Sequence, residues 1–449
     1  VTCLINCLPF MSIRGPRSAL SKFLEEENIK VDKTNKIKEN DKRASSDNVI
    51  TVDAGNNDKR GLTICGRSFK NENNTTRQKR IRYSRPIEIV NLRQELTLRT
   101  AVLQKIHENL AVFKLNDEQI VEYSKFLYKN RALTPEIFDC LVNYASKKLV
   151  VYDCSMIEKF DICKNFEHLE LHYCGQMKND DISQILRHAV GLKVLKLTGA
   201  FLLEKINLRP YINGERKENM NKLIEIDVSH CSRLKDNFIA QVNRYTRIEA
   251  LNISFCYGIT EKSRLKISPR RIVADETRIS RKFFKMKDCS LLEELSIANC
   301  PVLFFKGKNR IDLCKFTRLR KLNIEGISEM EQIGIDTLEE LRAANCFNLS
   351  LPLHNDKLRI LDISKINYTR DILAKLNRLS RLEYLNISFN ENVDDDLIIE
   401  YVTTLKNIKT IVVFGCFKLT KELGRLAWLI KNNIKIIGNH AETKYLLEN

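Results

Sequence analysis

The chain has 449 residues, and 43% of them are hydrophobic, which fits an ordered protein rather than a disordered one. Its 75 lysines and arginines exceed its 57 aspartates and glutamates, so the formal net charge is +18 and a polyanionic partner is favoured. No segment is long and apolar enough to predict a transmembrane span, so we expect no membrane partner. Residues 1–10 are apolar but short, and they lack the basic start of a signal peptide. We interpret them as a non-native or disordered start, upstream of Met11.

Two further segments precede the predicted ordered part. Residues 11–31 place Leu20, Phe23 and Leu24 at helical spacing, which predicts a short amphipathic motif. Residues 32–86 are rich in Asn, Asp, Lys and Ser, which predicts a disordered basic linker. A dense basic cluster near its end is either a nuclear localisation signal, a solvated tail or a contact for DNA phosphates. The cluster consists of Arg77, Lys79, Arg80 and Arg82.

Residues 87–148 predict a helical cap for a repeat domain. Apolar residues recur there at spacings of three and four, and further runs begin at Asp117 and at Thr134–Pro135. On the first helix, a four-residue pattern resembles the Elongin-C-binding box of ubiquitin-ligase substrate receptors, with valine where cysteine is preferred. Its residues are Thr97, Leu98, Val102 and Ile106. An ordinary amphipathic core helix is the alternative.

Residues 149–449 repeat one short phrase: leucine, two residues, leucine, one residue, an aliphatic residue, two residues and often cysteine. Clear copies begin at Phe166, Leu223, Ile248, Leu292, Leu338 and Ile408, and further units begin at Leu192, Leu319, Leu358 and Leu382. This pattern predicts an α/β leucine-rich-repeat solenoid of the cysteine-containing type, with about eleven parallel strands. No single unit can bury its leucines alone, so the units must stack into one continuous core.

The fourteen cysteines follow the same pattern. Seven fall at the cysteine position of a repeat, where a small buried thiol packs the turn after the strand. They are Cys154, Cys174, Cys231, Cys256, Cys300, Cys346 and Cys416. We therefore expect reduced thiols in an intracellular protein and no disulfide framework.

A second basic cluster, at residues 262–287, lies within the repeats and lengthens the unit that begins at Ile248 to 44 residues. We interpret it as either a plain surface loop or a contact for DNA phosphates. The candidate residues are Arg270, Arg271, Arg281 and Lys282. Apart from Phe283 and Phe284 the cluster is poor in aromatics, so we expect attraction to the DNA backbone without reading of bases.

Motifs for catalysis are missing from the sequence, which has no glycine-rich phosphate loop, nucleophile elbow or zinc-protease pattern. We therefore expect no enzyme activity and no cofactor. His168, His172 and Cys174 are the one group of residues that could suggest a metal site. We interpret the two histidines instead as exposed residues of the concave face. The charges of the polar residues expected on that face nearly cancel, which favours a protein partner over a DNA duplex. They are Glu170, His172, Glu225, Asp227, Asn252, Ser254, Asn323, Asp362, Asn386 and Ser388.

Five phrases together point to one family. They are Arg14–Glu26, Ser124–Leu133, Cys174–Gln176, Val393–Asp395 and Val413–Gly415. They resemble the fungal leucine-rich-repeat DNA repair proteins called radiation-sensitive protein seven, and the resemblance covers nearly the whole chain from Met11. Many members carry a cysteine-pair zinc finger before the helical block. Here only Cys65–Arg67 corresponds to it, so we expect no metal site.

The resemblance implies a non-catalytic nuclear subunit of a damage-recognition complex for global-genome nucleotide excision repair. Its implied partners are a SWI/SNF-class ATPase with a RING domain, Elongin-C with a cullin, and damaged DNA, contacted directly or through the complex. Two alternatives stay open. One is a ubiquitin-ligase substrate receptor with an F-box-like role outside repair, and the other is a cytoplasmic recognition or signalling solenoid.

Overall fold

A computed structural model describes the chain from residue 98 to residue 438, with short gaps, and three strands ahead of that range. The gaps are residues 109, 111–113, 209–210, 213–214, 217–221, 246, 304–311 and 352–353. The chain divides into two compact units, Val1–Leu92 and Arg93–Asn449. The predicted start at residues 1–10 and the basic cluster at residues 77–82 lie outside the described residues. Of the described helices, none is long and apolar enough to cross a lipid bilayer.

The first unit contains a three-stranded antiparallel sheet. Its central strand, β2 (Val49–Asp53), pairs with β1 (Lys30–Val31) on one side and with β3 (Leu62–Cys65) on the other. Valine, isoleucine and threonine dominate β2 and β3, and these side chains favour extended backbone. β2 and β3 fall within the segment predicted as a linker. The remainder of that prediction and the predicted N-terminal helix lie outside the described residues.

Three helices open the second unit: α1 (Leu98–Glu108), α2 (Asp117–Asn130) and α3 (Pro135–Tyr144). α2 begins with a capping box, in which the side chains of Asn116 and Gln119 each accept a hydrogen bond from the other residue's backbone N–H. The Asp117 carboxylate then accepts hydrogen bonds from the backbone N–H groups of residues 146–148. This joins the cap to the strand that follows.

Thirteen parallel strands form one continuous sheet in the described part of the second unit. They are β4 (Lys148–Val151), β5 (His168–His172), β6 (Val194–Thr198), β9 (Glu225–Asp227), β10 (Ala250–Asn252), β11 (Arg271–Val273), β12 (Glu294–Ser296), β13 (Lys321–Asn323), β14 (Glu340–Arg342), β15 (Ile360–Asp362), β16 (Tyr384–Asn386), β17 (Thr410–Val412) and β18 (Lys435–Ile437). A separate hairpin, β7 (Tyr211–Ile212) with β8 (Glu215–Arg216), follows β6. The predicted leucine-rich-repeat solenoid is confirmed.

One leucine or isoleucine of each strand lies in register with that of its neighbours and points into the core. The column runs from Leu149 through Leu251 and Leu295 to Ile436, and every member is at most 2% exposed. We call these residues the rung residues and the opposite surface of the sheet the open face. Because each strand buries only a few side chains, the solenoid depends on neighbouring units to complete its core.

Five α-helices lie among the segments that return the chain from one strand to the next. They are α4 (Asn179–His188), α5 (Asp236–Val242), α6 (Arg370–Ala374), α7 (Asp395–Thr404) and α8 (Leu423–Ile430). Short 3₁₀ turns occupy Arg281–Phe284, Cys289–Leu291, Leu313–Lys315 and Lys375–Arg378. Between α5 and α6 the described return segments are therefore 3₁₀ or irregular.

β11 corrects the prediction of an insertion. Residues 262–287 do not interrupt the repeats, because Ile272 pairs in register with Leu251 on one side and with Leu295 on the other. Ala274 and Thr277 fill the next two inward positions and are fully buried. The stretch of 44 residues is thus two repeats, the second of which has lost its leucines and its cysteine.

The turn after each strand of this sheet from β5 to β17 holds one residue in the left-handed backbone region. It lies four positions after the rung residue, with φ between 53° and 74° in eleven successive repeats. The residues are Tyr173, Gly199, His230, Phe255, Glu276, Asn299, Gly326, Asn345, Lys365, Phe389 and Gly415. This conformation turns the backbone N–H toward the next repeat. For example, the N–H of Phe255 donates to the carbonyl of Asp275 at 2.8 Å.

The seven predicted repeat cysteines are buried and free, as the repeat pattern predicts. In the central repeats, each thiol donates to a backbone carbonyl of the preceding repeat. The Sγ atoms of Cys231, Cys256 and Cys300 lie 3.1 Å from their carbonyl oxygens. These thiols therefore do more than fill space, since each one satisfies a buried carbonyl between two repeats.

Candidate functional site

A basic patch lies on the return side of the solenoid, where two consecutive return segments run side by side. Residues 262–268 and 280–288 are joined by hydrogen bonds from the N–H of Leu265 to the carbonyl of Phe283, at 2.9 Å, and from the N–H of Lys287 to the carbonyl of Lys266, at 3.1 Å. Phe283 and Phe284 are buried beneath them. They are core residues, so neither is available to stack on a base.

Burial alternates along the first of these segments, so its cations all reach solvent. Ser263, Leu265 and Ile267 are buried, whereas the three residues between and before them are exposed. We define the return-side patch as Lys262, Arg264, Lys266, Lys282, Lys285 and Lys287, with Arg281 beside them. For the first six, the described residues offer no carboxylate within 4.0 Å. Lys262 also interacts electrostatically with Asp236, so the other five of these six residues are the cations most available to external phosphates.

The four predicted residues of this cluster do not form one site. Arg281 and Lys282 lie on the return side, but Arg270 and Arg271 lie at β11 and are already paired. The guanidinium of Arg270 donates to Glu293 and that of Arg271 donates to Glu225, each at 2.6 Å. Carboxylates thus neutralise Arg270 and Arg271, whereas Lys282 has no carboxylate within 4.0 Å among the described residues.

The open face carries a row of alternating charges along the starts of the strands. Each residue lies two positions before a rung residue, so neighbours in the row come from neighbouring repeats. The row is Lys147, Glu167, Lys193, Ile224, Glu249, Arg270, Glu293, Arg320, Glu339, Arg359, Glu383 and Lys409, in which the uncharged Ile224 is the one interruption. Hydrogen bonds and charges from Lys193 and Lys147 lower the pKa of Glu167 to about 2, and Arg359 and Lys409 lower that of Glu383 to about 2. This row neutralises itself and offers little to an ion from outside.

The histidines of the predicted metal group serve a different purpose. Nε2 of His168 lies 3.1 Å from one Glu170 oxygen, and Nε2 of His172 lies 2.7 Å from the other. Cys174 is buried in the core and takes no part. Although burial raises the pKa of Glu170, the two histidines and then Lys196 lower it well below its usual range. Across the described residues, no cluster of His, Cys, Asp and Glu has the geometry of a metal site.

The predicted Elongin-C-binding residues lie on or beside α1. Thr97 is outside the described residues, and for Leu98 and Val102 only the helical backbone is described. Ile106 is half-buried and packs against the core of the cap. The helix is held in place from its other end, where Nδ1 of His107 lies 2.8 Å from the hydroxyl of Tyr123 on α2.

Two features of the surface were not predicted from the sequence. The alternating charges become visible only when the repeats are aligned on their rung residues, since neighbours in the row are 19 to 31 residues apart along the chain. The separation of Arg271 from Arg281 depends on recognising Ile272 as a rung residue. The doubled spacing between Leu251 and Leu295 was the available signal for that strand.

Comparison with curated proteins gives two relatives. The chain is 24% identical over 364 residues to the DNA repair protein rhp7 of Schizosaccharomyces pombe, which covers 72% of this chain and 63% of the relative. It is 23% identical over 337 residues to the DNA repair protein RAD7 of Saccharomyces cerevisiae, which covers 65% of this chain and 58% of the relative. The chain thus spans about three-fifths of the length of these relatives. The resemblance inferred from the five phrases is confirmed.

Solved structures of leucine-rich-repeat proteins are also similar. The crystal structure of the Rad7 and Elc1 complex in yeast matches with a TM-score of 0.49 and 19% identity, over 77% of this chain and 98% of that one. The functional domain of InlJ from Listeria monocytogenes, which includes a cysteine ladder, matches with a TM-score of 0.36 and 14% identity, over 65% of this chain and 61% of that one. No protein-family model matches the chain.

Proposed function

We propose that this chain is a non-catalytic adaptor subunit of a nuclear DNA damage-recognition complex in global-genome nucleotide excision repair. The observation that carries the proposal is the similarity to two DNA repair proteins over about two-thirds of the chain or more. The fold supports the adaptor role, because a leucine-rich-repeat solenoid is an extended binding surface and is usually non-catalytic.

The return-side patch supports direct contact with DNA. None of its six cations has a carboxylate within 4.0 Å among the described residues, and five of them, all but Lys262, have no resolved electrostatic carboxylate partner there. The six line two adjacent return segments that are joined by hydrogen bonds. Such cations bind phosphates without regard to base sequence, which suits a subunit that follows DNA while a partner recognises damage. The first basic cluster, at residues 77–82, adds cations of the same kind in the sequence.

We further propose that the chain joins a cullin–Elongin ubiquitin ligase through α1, and that a SWI/SNF-class ATPase with a RING domain is its partner in repair. The support for Elongin-C is the pattern of Leu98, Val102 and Ile106, which recurs every four residues and therefore follows one face of the helix. The packing of Ile106 against the cap means that Elongin-C would share this face with the cap.

Affinity purification of the full chain from nuclear extract tests these partners, with mass spectrometry as the readout. We expect the ATPase and Elongin-C to co-purify with the wild-type chain. Leu98→Asp should remove Elongin-C and leave the ATPase, because it places a charge on the apolar face of α1. Gln104→Asp is the matched control, since it adds the same charge at an exposed position of that helix. Equal recovery of Elongin-C with Leu98→Asp would refute the proposed box.

A substrate receptor that acts outside repair is the second candidate. The polar side chains of the open face suit a protein substrate, which both candidates need, so this face does not distinguish them. The two candidates differ in their partners: recovery of Elongin-C and cullin without the RING-bearing ATPase would favour the second.

A further inference from the structure

The open face is charged differently along its two edges. At the strand starts, the alternating row forms ion pairs with itself. At the strand ends, between β9 and β13, the positions one, three and four after the rung residues include four carboxylates and no lysine or arginine. We call these carboxylates the acidic rim: Asp227, Asp275, Glu276 and Glu325. The described residues supply none of them with an ion pair, and the exposed Arg278, two residues after Glu276, forms none with them. Asp227 and Asp275 already accept hydrogen bonds from neighbouring residues, and burial raises the pKa of Asp275. Glu276 and Glu325 are therefore the carboxylates left for a ligand.

Backbone contacts show that the rim is continuous. The N–H of Phe255 donates to the carbonyl of Asp275, the N–H of Glu276 donates to that of Ala298, and the N–H of Asn299 donates to that of Glu325. Adjacent strands of a sheet are about 4.8 Å apart, so the rim extends across five strands for about 20 Å. An extended peptide of about six residues has that length.

An aromatic shelf lies within the rim. The rings of His230 and Phe255 are stacked with centroids 4.2 Å apart and planes inclined by 9°, and Tyr257 beside them is half exposed. Both shelf residues occupy the left-handed turn position, with φ of 61° and 60°. Glycine occupies that position in other repeats, as at Gly199 and Gly326, without the strain that a bulky side chain incurs. His230 is exposed and Phe255 is half-buried, and large side chains held in a strained backbone conformation are typical of binding surfaces.

The charges select the ligand for this shelf. Aromatic faces stack on nucleic-acid bases as well as on guanidinium groups, but carboxylates that form no ion pair with lysine or arginine repel phosphates. Burial lowers the pKa of His230, so its ring adds no compensating charge at neutral pH. A guanidinium group can stack on the shelf and also donate hydrogen bonds to a carboxylate.

We propose that the acidic rim and its aromatic shelf bind an extended, arginine-containing segment of a partner protein, which lies across β9 to β13 on the open face. This site is distinct from the return-side patch, which binds phosphates. The proposal does not depend on the role in repair. The chain therefore carries two surfaces of opposite preference, one for a polyanion and one for a cationic peptide.

Fluorescence anisotropy of the full chain with a labelled peptide of alternating arginine and glycine tests the proposal. We expect saturable binding, weakened about tenfold by Glu276→Gln with Glu325→Gln, because two charge pairs at half-buried positions are lost. Phe255→Gly should weaken the arginine peptide more than a matched lysine peptide, and glycine suits that turn position, so the variant should fold. Glu158→Gln with Glu422→Gln removes the same charge at exposed positions away from the rim and should change affinity by less than about twofold.

Three results would overturn the proposal. They are no saturable binding by the wild-type chain, equal affinity of the rim variant and the wild type, or displacement of the peptide by a single-stranded oligonucleotide that also binds the rim. Thermal unfolding of each variant, compared with that of the wild type, confirms that lost binding is not lost structure.

Discussion

Single side chains set the spacing between repeats. A buried thiol at the end of one strand donates to a carbonyl of the repeat before it, as Cys346 does to Ile324 at 3.1 Å. Where the cysteine is replaced, another polar group makes a bond: Thr277 donates to Ala274, and Asn390 donates to Ile366. The cysteine positions could be predicted from sequence because the residue type itself marks them. The left-handed positions could not, since tyrosine, histidine and phenylalanine there carry no sign of a positive φ.

The repeat thiols predict a loss of stability at alkaline pH. Burial raises the pKa of Cys231 to about 12 and those of Cys300 and Cys346 to about 11, above the ordinary value of 9.0. Below pH 9 both the folded and the unfolded thiols are protonated, so this contribution is fully present. Above it the unfolded chain releases protons first, and the free energy of unfolding falls as pH rises toward 11.

Urea unfolding at several pH values between about 8 and about 10 measures this effect. Tyr123, whose pKa burial raises to about 12, contributes only above its ordinary value of 10.0, so thiols dominate the lower part of the range. Replacing Cys300 and Cys346 with alanine should flatten the pH dependence. A wild-type chain equally stable at both ends of the range would contradict the account.

At the scale of elements, β11 is a repeat strand without the usual residues. Sequence predicted about eleven of the thirteen strands of this sheet, because leucines recur at a fixed spacing within each unit. It missed β11 because Ile272 and Ala274 stand among arginines. Tertiary packing overrides that local composition, since Ile272 lies between Leu251 and Leu295 in the core. The charged residues around it were predicted to form one cluster. That grouping was wrong, because the register of the strand decides on which face of the solenoid each residue lies.

Ile272→Ala separates a core strand from a surface insertion. Ile272 is fully buried, so its truncation should lower the free energy of unfolding by about 2 to 5 kcal/mol, as for other large core residues. Thr260→Ala would be a poor control for this stability measurement, because the Thr260 hydroxyl donates a hydrogen bond to the Asp236 carboxylate. Lys266→Ala, at an exposed position of the preceding return segment, is the control and should change stability little. A loss below about 0.5 kcal/mol for Ile272→Ala would mean that the strand is dispensable.

At the scale of the whole molecule, the solenoid divides its charges among surfaces. The strand starts on the open face are self-paired, the strand ends from β9 to β13 are acidic, and the return side of the same repeats is basic. A net charge of +18 predicted a polyanionic partner but could not say which side would meet it, because the cations are assigned to faces only by the fold. The Elongin-C and ATPase contacts stay predictions that rest on the resemblance.

Duplex DNA affinity measured as a function of salt tests the adaptor account most directly. For the full chain, the logarithm of affinity should fall linearly with the logarithm of salt concentration, and Lys266→Gln with Lys282→Gln and Lys285→Gln should reduce that slope by about three. Lys129→Gln with Lys159→Gln and Lys421→Gln removes as much charge from other exposed positions and should leave the slope nearly unchanged. A slope equally steep in the return-side variant and the wild type would contradict the account.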